Sequence, residues 1–138
     1  VIYHAAGRAG LGAFDAAVET GKYAIGVDTD QASLFSNEPA KASLILTSTE
    51  KRVDLTLSTA VDQFMAGKKL GGQKVYLGVA EDIIDYAPFN KVVPASIQKQ
   101  LNAVISDIKA GKVKIPSAFN MTADDINKMR DSVNAAKN

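Results

Sequence analysis

Two carboxylates two residues apart, Asp28 and Asp30, close the apolar run Tyr23-Ala24-Ile25-Gly26-Val27. A buried parallel strand that delivers an acid at its C-terminal end places it in the crevice where open α/β sheets bind ligands. There a carboxylate can accept two hydrogen bonds from vicinal hydroxyls, the geometry that holds a sugar. The competing role is to cap the following turn. One acid for each role is expected, with Asp28, nearer the strand, facing the ligand. Upstream, Gly7-x-x-Gly10-x-Gly12 opens a helix whose free N–H groups could take an anion or a hydroxyl oxygen. Asp28 lies 21 residues beyond Gly7, a spacing like that of the ribose-reading acid in dinucleotide-binding folds. The order G-x-G-x-x-G is nevertheless not met, because a match begun at Gly10 ends on Asp15. A tight strand-to-helix turn accounts for at least two of the three glycines.

Lys51-Arg52 is the third candidate. The pair follows an apolar segment near an expected helix start, where the macrodipole disfavours cations, so an acceptor is expected nearby, either a ligand or Asp28. A plain solvated position remains the stronger reading for Arg52 than for Lys51. His4, the single histidine, has no partner at metal-ligand spacing and reads as a strand-end or crevice-lining residue. Without cysteine there are no disulfides, thiolate metal sites or cysteine nucleophiles. No Ser/His/Asp set, acid/base pair of carboxylates or metal motif is found, and neither a cofactor nor catalysis is expected.

The elements that must position these residues follow from periodicity. Val1 to Ala6 reads as a strand, Leu11 to Thr20 as a helix closed by Gly21, and Tyr23 to Val27 as a second strand. Thr29 to Ala40 reads as a loop, and Ala42 to Thr47 as a short strand. Thr49 is expected to cap a helix carrying Val53, Leu57, Val61, Phe64 and Met65 on one face, stopped by Gly67 and Gly71-Gly72. Lys74 to Val79 and Ile83 to Tyr86 read as strands. Pro94 begins a helix with the stripe Ile97, Leu101, Val104, Ile105 and Ile108, which Gly111 closes. After an extended Val113 to Pro116, Thr122-Ala123-Asp124-Asp125 forms a near capping box for a last helix whose Ile126, Met129 and Val133 should face inward. Residues 134–138 should fray. The order is that of an α/β protein.

At 138 residues, 46% apolar and 22% charged, the composition is that of one globular domain. Sixteen basic against fifteen acidic residues leave no field to attract nucleic acid, and no run of ~18 apolar residues could span a bilayer. Opening inside a strand, without an initiator Met, the chain reads as a fragment of a longer protein.

Three blocks taken in order carry a resemblance: Tyr3 to Gly12, Tyr23 to Gln31, and Leu46-Thr47-Ser48-Thr49-Glu50-Lys51-Arg52-Val53-Asp54. Together they are similar to the C-terminal part of the basic membrane protein family, the PnrA-like nucleoside-binding lipoproteins that serve ABC importers as substrate-binding components. The likeness continues to about Ile115, with a departure after Gly78, where a usually glycine-rich hairpin is replaced. It implies the C-terminal portion of a type I periplasmic-binding-protein fold, in which two α/β lobes enclose the ligand. By that likeness residues 1–46 belong to the C-terminal lobe, 47–78 cross to the N-terminal lobe, and 79–138 return. One sheet holding every strand in a single compact lobe would contradict the crossing. The likeness also implies that Gly7, Asp28 and Lys51 bind a nucleoside-like ligand, with the stacking aromatic and base-reading groups upstream. A permease would be the partner, and an extracytoplasmic protein would be held to the membrane only by a lipid anchor on the preceding part. A Rossmann-type dinucleotide enzyme and the ligand-sensing domain of a transcription regulator are the alternatives.

Overall fold

A computed structural model describes residues 1–135. Its centre is a four-stranded sheet in the order β1 (Ile2–Tyr3), β2 (Ala24–Asp28), β3 (Ile45–Lys51), β4 (Ile84–Tyr86). The first three strands run parallel, and β4 pairs antiparallel with β3, Thr49 opposite Tyr86. The protein is α/β, as its element order implies.

A 3-10 turn over Gly7–Gly10 leads into α1 (Leu11–Thr20), which Gly21 ends in the left-handed conformation (φ 61°). Phe14 and Ala17 of α1 pack on Ala24 and Ile45, all four at most 2% exposed, and this is the core. The stretch 29–40 is not a plain loop, for it contains α2 (Gln31–Leu34) and the start of α3 (Pro39–Ala42). Both are single turns, one begun by the Asp30 cap and the other by Pro39 at its first position, too short to leave a periodic signature. Lys41 ties α3 to α1 through Asp15 at 2.8 Å and also pairs with Glu38 at 2.9 Å. These contacts hold its ammonium pKa above the usual value.

The strand expected at Ala42 to Thr47 forms further along, at Ile45–Lys51. Thr49 is therefore no helix cap. It lies within β3 between Val27 and Tyr86, because cross-strand pairing on both sides outweighs a local cap signal. Helix α4 (Val53–Met65) starts after Arg52 with no side-chain cap. Likewise β1 covers only part of Val1 to Ala6, and Lys74 to Val79 is irregular, its alternating apolar residues having no neighbouring strand to pair with.

Arg52 N–H donates to the Ile83 carbonyl at 2.8 Å, so the chain leaves the sheet after β3 and rejoins it beside the same point. Between them, α4 has no buried residue. All four strands share one sheet, and the 53–77 excursion stands apart from its core. From Pro94, α5 (Ala95–Lys109) lies over the face opposite α1, with Tyr86 Oη donating to Asn102 Oδ1 at 2.7 Å. The last helix, α6 (Ala123–Ala135), still includes 134 and 135; of the residues expected to fray, 136–138 lie outside the described ones. Its capping box forms: Thr122 N–H donates to Asp125 Oδ2 and Asp125 N–H to Thr122 Oγ1, each at 3.2 Å. Ile126, Met129 and Val133, expected to face inward, are instead 39–54% exposed, and no residue of α6 is buried among the described residues.

Candidate functional site

Three parallel strands side by side bring their C-terminal ends to one rim of the sheet. Gly7 follows β1, Asp28 ends β2 and Lys51 ends β3, so the topology gathers all three sequence candidates on that rim. Lys51 Nζ lies 3.1 Å from Asp28 Oδ1. The acceptor expected for this cation is thus the neighbouring strand's acid, and Lys51 reaches it from a strand end instead of a helix start. Both side chains are about half exposed (57% and 53%), so the pair is open to an incoming ligand and adds at most ~1 kcal/mol to stability. Gly7 shares the rim and turns the chain with φ 53°, but makes no hydrogen bond to Asp28 or Lys51 among the described residues. Arg52 instead forms a two-pronged pair with Asp54, Nε to Oδ1 at 3.0 Å and Nη2 to Oδ2 at 2.8 Å. That contact raises the guanidinium pKa and lowers the Asp54 carboxyl.

Of the two acids, one takes the capping role. Asp30 caps α2, its Oδ1 accepting from Ala32 N–H at 3.1 Å and Ser33 N–H at 3.4 Å. Asp28 makes no such cap. Its backbone is left-handed (φ 72°), a conformation uncommon for a residue with a side chain. Beneath it runs a buried polar network that sequence reasoning missed. Gln31 Oε1 accepts from Val27 N–H at 2.9 Å, and Gln31 N–H donates to Ser48 Oγ at 3.1 Å. Both residues are buried. A Cβ on Gly26 would stand 2.5 Å from Ser48 Oγ and 2.6 Å from Gln31 Oε1, so only glycine fits between them. The one available signal was a glutamine directly after a capping aspartate.

His4 is buried against Gly10 and stands edge-on to Phe14 at 5.0 Å, both ring nitrogens without a hydrogen-bond partner among the described residues. It belongs to the core and not to the crevice lining. A Cβ on Gly10 would fall 2.0 Å from His4 Nδ1, which explains that glycine by close packing. A cavity of about 500 Å³ lies between the sheet and α5, bordered by Ile25, Thr49, Tyr86, Leu101 and Ile105. Gly7, Asp28 and Lys51 do not border it, and it is an incompletely filled sheet–helix interface. Among the described residues no cluster suited to a metal ion occurs, and no helix is long and apolar enough to cross a membrane.

Basic membrane protein A of Borreliella afzelii is 31% identical over 119 residues, covering 84% of this chain and 35% of that protein. The CD4+ T-cell-stimulating antigen of Listeria monocytogenes is 29% identical over 126 residues, with the same shares. The chain therefore spans about a third of the length of the curated relatives it matches. An ABC transporter solute-binding protein from Aeropyrum pernix superposes with a TM-score of 0.72 at 18% identity, covering 96% of this chain and 44% of that one. That likeness establishes the fold as part of a periplasmic-binding-protein fold. A Bacillus halodurans protein described as a transcriptional activator of the comK gene gives 0.68 at 29% identity, covering 83% of this chain and 38% of that one. The pattern of one family, described as ABC transporter substrate-binding protein PnrA-like, matches residues 1–118, and this chain belongs to that family.

Proposed function

We propose that the chain is part of the substrate-binding component of an ABC importer and contributes one wall of a site for a purine nucleoside or a related sugar-containing molecule. The observation that carries this reading is Asp28, at the C-terminal end of a central parallel strand in a chain of this family. Its carboxylate would accept from vicinal sugar hydroxyls. Lys51, with three donors on its ammonium, would hold that carboxylate and still reach a ligand oxygen. The Gly7 turn would bring backbone close to the sugar. The role is binding and not catalysis, and the cargo passes to a permease. The location would be extracytoplasmic, with a lipid anchor on polypeptide outside this chain.

The crossing of 47–78 to a second lobe does not fit as drawn, because 47–51 complete β3 in the same sheet as β1 and β2. We place any segment facing a second lobe between Arg52 and Ile83, where departure and return meet at one hydrogen bond and the apolar face of α4 is uncovered. The regulator reading draws on the structural likeness to the transcriptional activator and would require a helix-turn-helix elsewhere in the polypeptide. Calorimetry of adenosine, guanosine and inosine against the intact protein tests the proposal. Asp28→Ala should weaken nucleoside binding by ~1–3 kcal/mol, since the ligand's hydroxyls lose their acceptor, and leave free-base binding untouched. Unchanged nucleoside affinity would remove Asp28 from the site.

A further inference from the structure

We infer that Gln31 and Ser48, with Gly26 between them, are positioning residues that hold Asp28 in its ligand-accepting pose without touching the ligand. The inference rests on the proposed role of Asp28. Residue 28 sits between two anchored points. Ahead of it, the Val27 N–H is held by the Gln31 side chain at 2.9 Å; behind it, Asp30 caps α2 and the Gln31 N–H is held by Ser48 Oγ at 3.1 Å. One glutamine therefore grips both ends of the five-residue stretch from Val27 to Gln31, its side chain at the start and its backbone at the finish. Ser48 anchors that glutamine to the adjacent strand β3, whose end carries Lys51.

With both ends fixed, and Asp28 closing β2 opposite Glu50, the chain turns through 28–29 and Asp28 adopts φ 72°. Aspartate enters this left-handed region more readily than most side chains, but it is still an uncommon conformation that the surrounding contacts help to hold. Release of the Val27 or Gln31 N–H would let the turn relax toward ordinary extended backbone and swing the carboxylate off the rim. Burial keeps the clamp itself out of reach of a ligand: Gln31 is 7% exposed and Ser48 is fully enclosed. Gly26 completes the device, because any Cβ there would collide with both polar partners.

The test is a double-mutant cycle on the intact protein, read by guanosine calorimetry. Gln31→Met removes the acceptor at similar length and should weaken guanosine binding about tenfold, the scale of one buried N–H losing its partner. In an Asp28→Ala background the same substitution should change the affinity less than about twofold, because the residue it positions is gone. Ile45→Val, a core change away from the turn, should lower thermal stability and leave affinity unchanged. If Asp28→Ala alone has no effect, the proposed function fails. If Asp28→Ala weakens binding but Gln31→Met does not, or acts equally in both backgrounds, the positioning role alone is overturned. Should Gln31→Met fail to fold, Ser48→Ala, a one-atom deletion, is read by the same criteria.

Discussion

The first fifty residues and the excursion that follows obey different rules. In the first region α1 lays Phe14 and Ala17 on Ala24 and Ile45, and Gly10 and Gly26 are required there by side chains packed against them. In the second, α4 carries Val53, Leu57, Val61 and Phe64 on one stripe, and those four are 49–68% exposed. Both stretches are amphipathic, so amphipathicity records the need for a partner surface without saying where that surface is. One region finds its partner within the chain, whereas the apolar stripe of the other stays uncovered. The last helix, α6, resembles the second region in having no buried residue, yet it holds a well-formed cap.

The largest expected effect separates the two regions by deletion of one ring. Phe14→Ala empties a site packed against His4 and Phe35 and should cost ~3–5 kcal/mol in urea denaturation. Phe64→Ala, at a residue 68% exposed, should shift stability by less than ~0.5 kcal/mol in the same chain. Equal losses would mean that α4 packs on the sheet in solution and would erase the contrast.

Next in size is binding by the 138-residue chain alone. An open rim with a few hydrogen bonds worth ~0.5–1.5 kcal/mol each does not offset the ~4–15 kcal/mol of freedom lost on association. Titration with adenosine, guanosine and inosine should therefore show no micromolar binding, and sedimentation should show self-association through the uncovered apolar stripe. Micromolar affinity in a confirmed monomer would break the view that one wall of the site is insufficient.

A glycine pair in the first region sharpens the comparison at smaller scale. Gly10→Ala drives a Cβ into the His4 ring and should destabilise by ~1–3 kcal/mol. Gly12→Ala, two residues on and inside α1, meets nothing within 4 Å and should stabilise by ~0.5–1 kcal/mol. Thermal melts of the two variants should move in opposite directions.

The smallest effect is a pH dependence confined to the second kind of region. The Thr122 hydroxyl and N–H hold the Asp125 carboxyl below the usual aspartate value. A depressed folded-state pKa means stability that is present above the unfolded value, near ~4, and lost as pH falls through the folded one. Circular dichroism should show the α6 helix loosening below about pH 4, and Asp125→Ala should remove that dependence. A loss of helix at neutral pH in the wild-type chain would show that the cap does not sustain α6.

Short-range chemistry settled much of this before any fold existed. Gly21 closing α1, Asp30 capping α2, Pro94 before α5 and the Thr122–Asp125 box all act within four residues, so the sequence alone was enough to read them. The α/β order and the strand-end place of Asp28 were legible for the same reason, since periodicity and a terminal acid are local signals. Thr49, the segment Lys74 to Val79 and the inward-facing residues of α6 were misread, because each depends on whether a neighbour is present. Pairing with β2 and β4 drew Thr49 into a strand, and the absence of a partner left 74–79 irregular. Tertiary structure chose Asp28 from the two acceptors the sequence left open for Lys51, and it alone decided the Gly26–Gln31–Ser48 clamp and the burial of His4. Each joins residues from separate elements, and a chain read residue by residue carries the demand for such contacts without carrying their distances.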